Sequence, residues 1–146
     1  MRTKLVTLHF CCISLLLFLC LNGCDLDSRE SANIAKSTFE GILSGDASVA
    51  KNFDWKVFQL NGAEFGQQYM TLSNDHERIQ FQNAILMRLS QAFKAKNWSH
   101  LTMKNWKVDS KGVESATVSC LSQNQGKITI YMQKVNLDKK IRRIDY

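Results

Sequence analysis

An apolar run near the start of the chain constrains everything after it. From Leu5 to Leu21, seventeen residues pass without an acid, a lysine or an arginine. Arg2 and Lys4 precede the run, and Gly23 supplies a small residue just beyond it. A positive start, an apolar centre and a small residue at the far end are the three parts of a secretory signal. The expectation is a discarded segment, residues 1–23, and a retained domain that folds after export. Two other readings fit the same run: an ordinary secretory signal with no further role for the residue after it, or an uncleaved membrane helix. Seventeen residues is near the lower limit for a span of about 20.

The end of the run reads Leu21-Asn22-Gly23-Cys24. It resembles the lipobox of bacterial lipoproteins, with leucine three positions before a cysteine and a small residue directly before it. The resemblance implies that the Cys24 thiol is acylated with a diacylglycerol and that cleavage makes Cys24 the new N-terminus, whose amine is often acylated too. Burying each acyl methylene contributes about 0.8 kcal/mol, so one chain binds reversibly and two or three hold firmly. Asp25 follows, a residue that in some bacteria retains a lipoprotein in the inner membrane. Residues 24–28 then form the anchor and a short polar tether, with a reach on the order of 15 Å. The implied location is the exported face of a cell membrane, periplasmic or extracellular.

Cysteine usage agrees with export. Cys11, Cys12 and Cys20 fall in the discarded segment, which leaves Cys24 and Cys120. With Cys24 lipidated, Cys120 has no partner for an internal disulfide, and its place in a strand pattern predicts a buried core thiol. The whole chain carries 19 Lys plus Arg against 13 Asp plus Glu. Removing Arg2 and Lys4 leaves 17 against 13, a mild excess of +4. That balance suits anionic headgroups and is too small for a nucleic-acid footprint. The remaining 123 residues (146 − 23) are enough for one domain with a real core.

Along that domain, Asp27 and Glu30 have capping-box spacing, and Ile34, Ala35, Thr38, Phe39, Ile42 and Leu43 recur on one helical face as far as Ser44. Gly45 is the expected stop, and Asp46 the cap of a shorter helix over residues 47–53. Trp55 to Leu60 reads as a short extended segment closed by Asn61-Gly62, and Ala63 to Leu72 is ambiguous. Asn74 and Glu77 head a long helix to about Lys96, with Ile79, Phe81, Ala84, Ile85, Leu86, Leu89, Ala92 and Phe93 in a wide apolar arc. The period then changes to two. Strands are expected over residues 98–108, 113–121, 127–137 and 141–146, with hairpin turns at 109–112, 122–126 and 138–140. Helices followed by an antiparallel meander is an α+β pattern.

That order, two helices, a short strand, a long helix and a curved antiparallel sheet, resembles the NTF2-like superfamily, also called SnoaL-like or cystatin-like. The resemblance covers residues 29–146 and includes the closing strand Lys140-Ile141-Arg142-Arg143-Ile144-Asp145-Tyr146. It implies a sheet curled around the long helix with a cone-shaped pocket. Enzymes of the superfamily place an Asp, His or Tyr there; other members bind ligands or partners.

Within such a cone, Arg78 and Gln82 share a helical line with Ile85 and Leu89, so two polar groups enter an apolar arc. Either they line a pocket as orienting groups, or Arg78 snorkels to solvent and Gln82 satisfies a backbone group. His100 shares the expected strand face with Trp98 and Thr102, which adds His100 and Trp98 to the candidate pocket. The cluster Lys139, Lys140, Arg142 and Arg143 has two readings, a membrane-facing patch or protection of an edge strand. No catalytic set, metal-ligand spacing or cofactor loop is visible. The sequence therefore points to a lipid-anchored, non-enzymatic module that binds a small ligand or an envelope protein. The alternatives are a small SnoaL-like isomerase, cyclase or hydrolase using His100 or a pocket acid, and an assembly factor that forms a homodimer through its sheet.

Overall fold

The computed structural model describes residues 28–123 and 126–146. The apolar run, Cys24, the tether up to Asp27 and the Asp27 cap lie outside the described residues. The chain divides after Glu30, and Ser31–Tyr146 is one compact unit. Residues 28–44 are helical (α1). They stop at Gly45, whose φ of 78° costs little without a Cβ. Asp46 accepts from Ser48 N–H at 2.9 Å and starts the next turn, which is a 3₁₀ helix, Ala47–Asn52, in place of the expected α-helix.

Short strands β1 (Gln59–Leu60) and β2 (Ala63–Glu64) pair around Asn61-Gly62, both at positive φ. The ambiguous stretch after them holds β2 and a five-residue helix, α2 (Gly66–Met70). The long helix α3, Asp75–Ala95, follows. Asn74 accepts from Glu77 N–H at 2.9 Å while the Glu77 carboxylate accepts from Ser73 N–H at 2.8 Å. The reciprocal cap is thus displaced by one residue from the usual box. Its buried arc is narrower than expected: Ile85, Leu86, Leu89, Ser90 and Phe93 are buried, whereas Ile79 is exposed.

Strands β3 (Trp106–Lys111), β4 (Ser115–Leu121), β5 (Lys127–Val135) and β6 (Asp138–Asp145) form the antiparallel meander. Three boundaries differ from expectation. In the first, β3 continues to Lys111 and β4 starts at Ser115, so the turn expected at 109–112 lies at 112–114. The stretch 98–105 is not strand: Ser99 and Thr102 bond each other's backbone and hydroxyl groups, a local alternative that competes with a ladder. The last turn is Asn136-Leu137 and not 138–140, because Asn136 takes φ 58° and lets Val135 pair Asp138. The sheet is also mixed. β1 lies parallel to β6, giving the order β2-β1-β6-β5-β4-β3.

The architecture is α+β: a six-stranded sheet whose apolar face packs against helices. Val118, Cys120, Ile128, Ile130, Ile141 and Ile144 from the sheet meet Ala35, Phe39 and Ile42 of α1 and Leu89 and Phe93 of α3 in one core. Phe39 stands between Phe93 and Trp106, with ring centroids 5.1 and 5.4 Å away. The opposite sheet face carries Lys107, Thr117, Thr129, Tyr131, Gln133 and Arg143, the polar half of the alternation.

Candidate functional site

Arg78 and Gln82 come together, and Tyr69 of α2 is where they meet. Gln82 Nε2 donates to the Tyr69 hydroxyl at 3.2 Å, and the Arg78 guanidinium lies 5.9 Å from the Tyr69 ring centroid. Arg78 also donates to the Leu72 carbonyl at 3.3 Å and pairs with Asp75 at 3.4 Å. Both side chains are half-buried, over a group of rings formed by Trp55, Phe65, Tyr69 and Phe81. Arg78 bonds the chain where solvent was the alternative expectation, Gln82 bonds a side-chain hydroxyl where a backbone group was, and Arg78 Nε is buried without a partner.

His100 and Trp98 do not join that pair. His100 is exposed on a turn, so the shared strand face expected for it is absent. Trp98 is buried against Phe93 and Tyr146, beyond the C-terminal end of α3. Fifteen residues of helix between Arg78 and Phe93 span about 22 Å. Among the described residues, the buried polar side chains are Ser31, Thr38, Ser90, Ser119 and Ser122.

The basic cluster is engaged within the fold. Lys139 Nζ donates to Ser31 Oγ at 2.9 Å, and Lys140 Nζ to the Lys51 carbonyl at 2.8 Å. Arg142 pairs with Asp54 at 3.1 Å and donates to Gln133 Oε1. Arg143 donates to Asp145 at 3.0 Å and covers the Tyr131 ring at 4.8 Å. β6 is not a free edge either, since Gln59 and Leu60 pair Arg143 and Ile144.

Sequence reasoning missed a groove between the end of α1 and α3, of about 460 Å³. Ile42, Leu86 and Met87 give it apolar walls, with Asn83 and Ser90 between them and Asp46 and Lys94 as charges of opposite sign. The Ser48 hydroxyl and N–H hold the Asp46 carboxylate below the usual carboxylate range, so it is anionic at neutral pH. Met87 is 61% exposed. Its signal in the sequence is an apolar residue placed outside the arc that faces the sheet. The groove has the concave, mostly apolar form with a few polar groups that small ligands and short peptides fit.

Cys120 is a free, buried thiol. Burial pushes it above its ordinary 9.0, so it is protonated and unreactive at neutral pH. A raised thiol value favours the folded state below the unfolded value and loses that contribution as pH rises past it. Iodoacetamide at about pH 8 should leave Cys120 unmodified in the folded chain and alkylate it in denaturant; mass spectrometry reads the difference. No family model, curated protein or solved structure matches this chain.

Proposed function

We propose that this chain is an exported lipoprotein, anchored through acylated Cys24, whose NTF2-like domain is a non-enzymatic binding module at the envelope membrane. The observation that carries the reading is the Leu21-Asn22-Gly23-Cys24 box at the end of an apolar run with a positive start. The order of helical segments, short strands, long helix and meander supports the NTF2-like part. Binding is supported over catalysis by a core filled with rings, by an exposed His100, and by a groove open on the helical side. The outer sheet face is polar, whereas homodimer interfaces run to about 65% apolar, so that face lends the dimer reading little support.

The anchor is tested by growing the host with a clickable palmitate analogue. The full chain should take up label, and Cys24→Ala should lose all of it. Label that persists in Cys24→Ala, or that never enters the native chain, refutes lipidation. The binding role is tested by native mass spectrometry of the chain extracted in mild detergent. A co-purifying small molecule lost in Met87→Glu makes the groove a ligand site. A molecule retained in that variant removes the groove from the argument, and a bare chain assigns the module to protein partners.

A further inference from the structure

The groove between the end of α1 and α3 contains a buried polar group that the fold leaves unpaired. Ser90 is 8% exposed, and its hydroxyl makes no hydrogen bond to a described residue. Thr38, buried nearby in the same class of residue, differs: its hydroxyl accepts from the Asn52 amide at 2.7 Å. Burying an unpaired hydroxyl is costly, and a serine within a helix otherwise bonds the carbonyl one turn back. Ser90 lines the groove, so the partner it lacks has to come from there.

The groups around it follow one line of α3. Asn83, Met87, Ser90 and Lys94 recur at intervals of four, three and four, which is a single helical face. Asn83 and Lys94 are eleven residues apart (94 − 83), about 16 Å of helix and the reach of about five extended residues. Ile79, four residues before Asn83, prolongs the line and is 54% exposed. Lys94 forms no ion pair among the described residues. Asp46 spends one acceptor position of each carboxylate oxygen on Ser48 and keeps the others.

This lining selects a ligand class. An acyl chain would cover Asn83 and Ser90 with methylenes and leave both unpaired, and a sugar would leave the apolar floor of Ile42 and Leu86 without a partner. A peptide alternates polar backbone with side chains. An asparagine amide can donate to a peptide carbonyl and accept from a peptide N–H, and a serine hydroxyl can do either. We propose that the groove binds a short extended peptide with free ends: Lys94 takes its carboxylate, Asp46 its ammonium, Asn83 and Ser90 its backbone, and Ile42, Leu86 and Met87 its apolar side chains. The inference rests on the binding reading of the groove and names its ligand class; it does not depend on the anchor. Met87 suits such a ligand, since its unbranched thioether adapts to side chains of different shape.

The test dialyses the full chain, extracted in mild detergent, against synthetic mixtures of pentapeptides built from Ala, Leu, Val, Ser and Gln. One mixture has free ends, one is acetylated, one is amidated and one is blocked at both ends; mass spectrometry reads what is retained. The parent chain should hold the free peptides several-fold more than Met87→Glu does in the same detergent. Amidation should weaken retention several-fold in the parent and have no effect in Lys94→Gln. Acetylation should do the same in the parent and have no effect in Asp46→Asn, a change that keeps a capping side chain before Ser48. Ser90→Ala should lower retention of all four mixtures and preserve their order. The acid-to-amide ratio is read within one chain, so a change in a variant's stability does not alter it. Equal retention of the four mixtures by the parent, or equal retention by the parent and Met87→Glu, overturns the peptide ligand. Decanoate or maltotriose held in place of peptides, and released by Met87→Glu, overturns it too and leaves the groove a ligand site. A chain that holds none of these probes sinks the peptide and the groove together.

Discussion

Phe93→Ala should cost about 3–5 kcal/mol of stability, the range for removing a buried ring from a core. Phe93 lies 5.1 Å from Phe39, 5.7 Å from Trp98 and 5.3 Å from Tyr146, centroid to centroid, so its loss opens a space that three rings line. These neighbours come from α1, from the segment after α3 and from the end of β6. A collapse into the space would have to move three separate parts of the fold at once, which places the cost toward the upper end. For a domain of this size each kcal/mol lowers the melting temperature by about 3–5 °C. The melting temperature should therefore fall by more than about 10 °C in calorimetry, while Phe93→Leu should recover most of the loss. A fall of a degree or two would mean that the ring cluster is not the centre of the core.

Gly66→Ala should be comparably damaging for the opposite reason. Gly66 opens α2 and is buried, and its backbone runs against Lys56 and Val57. A Cβ there would lie 2.6 Å from the Lys56 carbonyl carbon and 2.9 Å from Val57 Cα. Those are main-chain atoms, so no side-chain rotation makes room. The same residue donates its N–H to the Phe58 carbonyl at 3.2 Å, as Phe65 does at 2.9 Å, and both bonds hold the start of α2 to the residue before β1. Overpacking usually costs 1–3 kcal/mol, and a backbone obstacle should take the cost to about 3 kcal/mol or more. Urea unfolding should show a lower midpoint with an unchanged slope. By contrast, Gly62→Ala has open space around it and should pay mainly for its φ of 80°.

Local chemistry made much of this fold legible. Gly45 ends α1, Asn74 and Glu77 start α3, and the alternation through β4 and β5 predicts which residues enter the core. What failed had competing local signals. The segment Trp98–Lys104 alternates like a strand, but the Ser99 and Thr102 hydroxyls take the backbone groups that a ladder needs. Leu137 hides the last turn because it is apolar where a turn residue is expected. The parallel pairing of β1 with β6 joins residues 84 positions apart (143 − 59), with two residues of β1, so periodicity had nothing to detect. The same holds for the site. Arg78 and Gln82 were found by their helical line, but Tyr69, the group that satisfies Gln82, lay in the one stretch without a readable period. The groove was invisible because its two walls are distant in sequence.

The parallel seam between β1 and β6 also sets a schedule. The β1–β2 ribbon is made midway through synthesis, yet the strand that flanks it is the last of the sheet to appear. Until β6 arrives, a two-residue ribbon has too little pairing to persist, and the meander lacks the partner that holds Phe53 and Asp54 beside Ile141. Closure of such distant contacts comes late and slowly. The hairpins of β3, β4 and β5 pair neighbouring segments, so it is the β1–β2 side of the sheet that stays open until the last strand exists.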